Sequence, residues 1–473
     1  MSPEHPRQAA GAMRRRGLIE VTVYVLMILT AVAVFFIIRS QGQTLAAPAG
    51  VDGSAAHVAH GESQAAHADL LRLLFALAAI IMTGQALSFV FARIGQPPVI
   101  GEVVAGILLG PSLLGPEISA LILPPSVAPS LGVVAQIGVI LYMFLVGLDL
   151  NPALLAHRAR AVILTSHAAI ILPFLMGSAL ALVLYPRLAS DRVPFTSFAL
   201  FLGVAMAITA FPVLARILGD LGLSRTDVGG AAIACAAIDD VTAWCLLALV
   251  VGIAQAHAGL GLLVAGGTIA YVAFMFLIAR PILSRMISRD QDARPSRAAI
   301  GLIFVALLLS ALATQAIGIH AIFGAFLLGA VIPHDSPLSR AMTRGIEPAV
   351  TFLLLPAFFA FTGMRTRVDL LVDAGHWVLC LAIVVTAIVG KFVGTAVASR
   401  LTGFGWRDAA VLGALMNTRG LMELVVLNVG LDLGVITPPL FAMMVLMALV
   451  TTLMTSPLVR VLMGRRNPGP SAS

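Results

Sequence analysis

The sequence predicts an all-α, polytopic membrane protein of about 14 transmembrane helices, built as inverted six-helix repeats with two interrupted helices. Three observations predict it. Of 473 residues, 60% are apolar and 11% charged, against about 25% charged in soluble domains. Mean hydropathy is +1.03, and the runs between charge clusters reach the roughly 20 apolar residues that a crossing helix needs. Finally, two stretches of the chain echo each other. In lipid a segment must satisfy its own backbone, which favours helices, and the short alternating segments of a transmembrane barrel are not seen.

The expected spans are 17–38, 68–94, 97–115, 127–149, 160–186, 194–218, 226–254, 259–283, 298–317, 319–333, 344–366, 375–401, 406–434 and 437–463. The first has a basic start and small residues after it, as a signal peptide has, but its apolar run of about 18 residues exceeds the usual 7–15. It is therefore expected to be retained. Residues 40–67 read as a polar external linker carrying His57, His60 and His67 without metal-site spacing. Domain boundaries follow: 1–67 as N-terminus, extra helix and linker, 68–466 as the transmembrane domain, 467–473 as a short tail.

The arginines set the orientation. Arg14, Arg15, Arg16, Arg158, Arg160, Arg216, Arg225, Arg285, Arg289, Arg294, Arg297, Arg340, Arg344, Arg460, Arg465 and Arg466 fall on one side. Arg39, Arg187, Arg192, Arg365 and Arg367 fall on the other. Basic loops stay cytoplasmic, so both termini are expected inside the cytoplasmic (inner) membrane. The net charge of +7 arises from these loops and does not indicate nucleic acid. Cys235, Cys245 and Cys380 read as small core residues, and no cofactor is expected.

Gly101-Glu-Val-Val-Ala-Gly-Ile-Leu-Leu-Gly110 resembles His320-Ala-Ile-Phe-Gly-Ala-Phe-Leu-Leu-Gly329 at an offset of 219. Gly147 with Leu154 and Leu155 matches Gly363 with Leu370 and Leu371 at 216. The halves, 68–254 and 298–463, lie seven spans apart. An odd separation inverts the second copy, a transporter signature.

Asp239 and Asp240 sit in the middle of the run from Gly229 to Leu249. A charge at that depth costs at least about 2.5–3.5 kcal/mol, so two adjacent acids point to function. Neighbours on a helix diverge by about 100°, so one carboxylate can meet a fixed partner while the other faces a cavity. Burial favours the neutral form of a carboxyl and a nearby cation favours the charged form; a site balanced between the two exchanges one for the other. Of the 29 basic residues 28 are arginine, and the one lysine, Lys391, lies mid-span. Lysine, unlike arginine, can release its proton when buried, so an Asp–Lys pair is a switchable salt bridge.

Two spans look interrupted. Pro212 lies in the apolar run Ala207–Arg216, where it removes a backbone bond. Asn417, Thr418, Arg419, Gly420 and Glu423 break another. Each is the fifth span of its half, and interrupted helices at matching positions point to a binding site. Thr209 offers a hydroxyl to a cation there. Arg419 and Glu423, four apart, can pair with each other. Glu102 is a second protonatable group or an interfacial acid. Asp149, Arg365 and Arg367 read as solvated caps.

At these residues the chain resembles the Kef-type branch of monovalent cation/proton antiporters, including the plant CHX-type exchangers. The likeness is carried by Pro97-Pro-Val-Ile-Gly-Glu-Val-Val-Ala-Gly-Ile-Leu-Leu-Gly-Pro-Ser-Leu-Leu-Gly115, Ile208-Thr-Ala-Phe-Pro-Val-Leu-Ala-Arg-Ile-Leu218, Asp239-Asp-Val-Thr-Ala-Trp244, Gly318-Ile-His-Ala-Ile-Phe-Gly-Ala-Phe326 and Asn417-Thr-Arg-Gly-Leu-Met-Glu-Leu424. It implies a homodimer whose core domain moves like an elevator, with two crossed, unwound helices beside the acid pair. It implies Na⁺ or K⁺ and H⁺ as substrates, Asp240 as their main ligand, Asp239 paired with Lys391, and Thr209 lining the site. Relatives with two acids and a lysine tend to be electrogenic. CHX-type members often carry Asn first, so Asp239 departs from that branch and leaves the choice of cation open. The chain stops at Ser473, so the regulatory nucleotide-binding domain of many Kef systems is not expected.

Two other classes share parts of this pattern. A Kef-like potassium efflux channel would pass cations without obligatory proton countermovement. An intramembrane aspartyl protease needs two carboxylates sharing a proton. Adjacent residues on one helix diverge, so Glu102 or Glu423 would have to supply the second.

Overall fold

The structure is a computed structural model that describes residues 25–43, 45, 64–149, 159–191, 193–223, 226–255, 261–288, 295–333 and 336–464. His57 and His60 of the expected linker lie outside the described residues. The helices are α1 Val25–Gly42, α2 Gln64–Arg93, α3 Pro98–Leu109, α4 Pro111–Leu114, α5 Pro116–Ile122, α6 Ala128–Asp149, α7 Ala159–Leu188, α8 Phe195–Ala207, α9 Phe211–Asp220 and α10 Asp227–Gln255. They continue as α11 Gly261–Phe274, α12 Arg280–Ser288, α13 Arg297–Ile317, α14 Ala321–Val331, α15 Pro337–Ala349, α16 Leu355–Arg365, α17 Ala374–Leu401, α18 Trp406–Met416, α19 Leu421–Asp432 and α20 Pro438–Met463.

The expectation of about 14 crossings is corrected. Among the described residues 11 helices are long and apolar enough to cross a membrane, or up to 12 if the pair α18 and α19, bent by 44°, is one span. The expected spans 97–115 and 319–333 became the shorter helices α3 and α14, of 12 and 11 residues. At about 1.5 Å per residue neither reaches across a hydrocarbon core of about 30 Å. Proline stops both. Gly110 precedes Pro111 and Ile332 precedes Pro333, and both residues are extended, as a residue before proline prefers. Proline also explains two π turns, Met275–Ala279 and Val350–Leu354. Each is centred four residues before a proline, Pro281 or Pro356, whose ring displaces that carbonyl.

Contacts sort the helices into two groups. A core gathers α7, α8, α9 and α10 with α17, α18, α19 and α20; a scaffold gathers α2, α3 and α6 with α13, α14, α15 and α16. The pairings recur in the two halves. The contact of α6 with α14 matches that of α16 with α3, and that of α7 with α8 matches that of α17 with α18. The packing of α7 on α17 and of α6 on α16 joins each helix to its own counterpart. The recurrence is like the contact pattern of an inverted repeat.

The glycines of the sequence echo sit at the matching crossings. A Cβ on Gly147 of α6 would lie 2.2 Å from the Phe326 carbonyl oxygen of α14; one on Gly363 of α16 would lie 2.3 Å from the Gly106 carbonyl carbon of α3. Small residues let helices approach this closely in lipid. Replacing Gly363 with valine is therefore expected to force α3 and α16 apart and destabilise the scaffold by about 1–3 kcal/mol or more. A thermal melt of purified protein in detergent checks this, and an unchanged midpoint would contradict the close approach.

Large apolar side chains such as Leu71, Leu277, Leu308 and Leu381 face outward, where a bilayer would cover them. Cys235 and Cys380 are buried as expected, but Cys245 is exposed: it lies on the outer face of α10 rather than in the core.

Candidate functional site

Two breaks meet inside the core. Helix α8 ends at Ala207, Ile208 and Ala210 are extended, and α9 begins at Phe211. Pro212 stands in the first turn of α9, where its missing N–H leaves no bond unmade. Helix α18 ends at Met416 and α19 begins at Leu421, leaving Asn417 to Gly420 unwound. The breaks hydrogen-bond to each other. The Ala210 amide donates to the Thr418 carbonyl at 3.0 Å, and Thr209 Oγ1 approaches the Met416 carbonyl at 3.1 Å. A Cβ on Gly420 would meet Val213 Cγ2 at 2.8 Å, so a glycine lets α19 start against α9.

Helix α10 carries the acid pair past this crossing. Asp239 is fully bonded. Its Oδ2 accepts from Lys391 Nζ at 2.9 Å and from Thr209 Oγ1 at 2.9 Å, and its Oδ1 accepts from Ser166 Oγ at 2.5 Å. Lys391 Nζ also donates to Thr209 Oγ1 at 2.7 Å. Asp239 and Lys391 are both 0% exposed. Asp240 differs in every respect but burial. It is 2% exposed, yet neither carboxylate oxygen has a side-chain hydrogen-bond partner among the described residues. Its polar contact is to the main chain, a backbone hydrogen bond from the Phe211 amide at the start of α9, so the positive end of a half-helix faces the carboxylate.

Arg419 serves the opposite end. Its guanidinium donates from Nη1 to the Ala205 carbonyl at 3.0 Å and from Nη2 to the Met206 carbonyl at 2.7 Å, satisfying the open C-terminal carbonyls of α8. Nη1 also reaches Glu423 Oε2 at 3.1 Å, with both side chains fully buried. Asn417 and Thr418 are buried at the break; Asn417 Nδ2 faces Met454 Sδ at 4.0 Å, and Thr418 Oγ1 donates to the Leu415 carbonyl at 2.7 Å. Three buried acids, Asp239, Asp240 and Glu423, thus stand with two buried bases, Lys391 and Arg419. If all are ionised, one negative charge lacks a counter-charge. It falls on Asp240, the acid with no side-chain partner. A single positive charge there would restore neutrality.

Glu102 is not brought to this cluster. It lies on α3 against Gly84 of α2, with Arg216 of α9 as its charged neighbour. Arg365 is more than a solvated cap. It donates to Asn428 Oδ1 at 3.0 Å and Asp432 Oδ1 at 2.6 Å, tying scaffold helix α16 to core helix α19. Arg367 pairs with Asp369 at the surface. Ser166 escaped sequence reasoning: one hydroxyl inside an apolar helix carries no signal until its partner is known.

A sequence profile described as sodium/hydrogen exchanger, transmembrane, matches residues 75–463. The Na(+)/H(+) antiporter NhaS4 of Synechocystis is 44% identical, over 82% of this chain and 97% of its own length. The Cation/H(+) antiporter 19 of Arabidopsis thaliana is 39% identical over 82% of this chain and 49% of its own, and the K(+)/H(+) antiporter 1 of Saccharomyces cerevisiae 33% over 83% and 46%. The chain spans about half the length of these last two. Among solved structures, the sodium proton antiporter MjNhaP1 of Methanocaldococcus jannaschii shares the fold, with a TM-score of 0.56 at 16% identity over 83% of this chain and 96% of its own.

Proposed function

Because the chain belongs to the sodium/hydrogen exchanger transmembrane family, we propose that Asp240 is the carboxylate on which its cation and its proton compete. The protein is a secondary transporter that couples a monovalent cation to H⁺ and is not an enzyme. The observation that carries the assignment is the contrast within the pair. Asp239 has every oxygen satisfied by the side chains of Ser166, Thr209 and Lys391, whereas the buried Asp240 has no side-chain partner. A buried, unpaired carboxylate is stable only with a cation or a proton. Thr209, at the break between the half-helices, is bonded to Lys391 and Asp239 and has one lone pair left to offer a cation.

The cation is Na⁺ or K⁺. Exchange is electrogenic, with Lys391 as the second proton-carrying group. The core helices move against the scaffold and turn the crossing from one membrane face to the other, as inverted-repeat transporters do. Residues 68–466 are the transport unit, to which residues 1–67 add a retained helix. The positive-inside bias places both termini in the cytoplasm, with the inner membrane as the site of action. The scaffold, which stays still in such a cycle, is the surface assigned to a second copy in a homodimer.

The test is ΔpH dissipation in proteoliposomes across Li⁺, Na⁺, K⁺ and Rb⁺, with and without a voltage clamp. Antiport predicts that one or two of these cations collapse the gradient and that the rate responds to voltage. Cation flux without proton countermovement would identify a channel instead.

A further inference from the structure

The second half of the molecule holds a counterpart of the acid pair. Thr452 stands 212 residues after Asp240, the offset that also relates the last residues of α9 and α19, Asp220 and Asp432. Where α10 carries Asp239 and Asp240 past the first break, α20 carries Thr451 and Thr452 at the matching positions, and Thr452 reaches the second break. Thr452 is 2% exposed. Its Oγ1 accepts from the Arg419 amide at 3.0 Å and donates to the Arg419 carbonyl at 2.7 Å. One hydroxyl therefore satisfies both polar groups of an unwound residue that no helix serves. A carboxylate could only accept, and an apolar side chain could do neither.

What is held is the residue whose side chain reaches the first break. The Arg419 guanidinium sits on the Ala205 and Met206 carbonyls, at the end of α8 and just before Thr209, which touches Asp239 and Lys391. Fixing the Arg419 backbone fixes where that guanidinium can go, and so where α8 ends relative to α10. Thr451 provides an internal contrast. It donates only to Met447 and Ala448 carbonyls of its own helix and holds nothing across the crossing.

We propose that Thr452 is a positioning residue for transport: by clamping Arg419 it holds the α8 end and Thr209 in the geometry that binds the cation beside Asp240. The proposal rests on the antiport reading above. It divides the labour of the two halves: α10 carries charge, and α20 holds the frame.

The experiment measures apparent KM for the cation and maximal rate, by ΔpH dissipation, for full-length protein in proteoliposomes. Thr452→Val leaves a buried amide and carbonyl without partners, a penalty equivalent to about ten-fold or more in affinity, so KM is expected to rise by that order. Thr452→Ser should stay within about two-fold, because a single hydroxyl bond pair contributes little when both bonds are kept. Thr451→Val should match the wild type. Arg419→Lys, which keeps the charge but loses the two-carbonyl fork, should raise KM as Thr452→Val does. The double variant should be no worse than the worse single, since both act through one link. Wild-type KM in Thr452→Val, serine and valine variants equally impaired, or additive effects in the double variant would each overturn the proposal. Should Thr452→Val not be recovered folded, the Arg419→Lys and Thr452→Ser results decide it alone: normal KM in the first or a raised KM in the second overturns it. A wild-type protein that fails to dissipate ΔpH sinks the antiport reading instead.

Discussion

Asp240→Asn is expected to abolish cation/proton exchange while leaving the protein folded. Asparagine has nearly the shape of aspartate and removes its charge. Asp240 makes no side-chain hydrogen bond that the substitution would break, the asparagine Oδ1 can still accept from the Phe211 amide, and a buried unpaired charge is a burden on the fold. The thermal midpoint should therefore hold or rise. The transported ion loses its only uncompensated counter-charge. Two unit charges about 4 Å apart at an effective dielectric near 20 attract by about 4 kcal/mol, roughly three decades in affinity. Everted vesicles should thus show no cation-dependent collapse of ΔpH above the empty-vector level. Full exchange in Asp240→Asn would remove the carrier role. The matched change at Asp239 should behave differently, because that carboxylate meets Ser166, Thr209 and Lys391 and its loss strands a buried lysine.

This division within the pair was half legible in sequence. Helix geometry says that adjacent acids diverge, but not which one finds the lysine, since Lys391 comes from α17, 152 residues away. The two interruptions were legible because proline and a polar cluster are local signals. Their mutual bonding, from the Ala210 amide to Thr418, is not, because main-chain contacts leave no trace in side-chain identity. Arg419 was expected to pair with Glu423 four residues on, and it does. Its reach to Ala205 and Met206 depends on the crossing itself and could not be read from the chain. The same limit explains Thr452 and Ser166, ordinary hydroxyls in apolar runs. The overcount of spans has a simpler cause. Composition counted Pro111 and Pro333 as apolar neighbours of α3 and α14, whereas their effect on the preceding residue ends those helices.

Lys391→Ala should affect stability and coupling together. Removing one partner of a buried pair leaves the other charge uncompensated, at a cost of about 3–5 kcal/mol. Asp239 would keep two hydroxyl donors, Ser166 and Thr209, and would lose its cation. A clearly lowered melting midpoint is expected, partly recovered in the double variant Lys391→Ala with Asp239→Asn, since removing both charges leaves no uncompensated ion while the cavity left by the lysine stem keeps its own cost. Asp240 remains, so the double variant retains a site where cation and proton compete. What it lacks is the protonatable Lys391–Asp239 pair, while Glu423, the other buried acid at the crossing, stays paired with Arg419. One proton per monovalent cation moves no net charge. Exchange in the double variant should therefore persist but no longer respond to a voltage clamp, while the wild type responds. Voltage dependence equal to wild type would show that the second proton travels elsewhere, and would leave Lys391 with a structural part only.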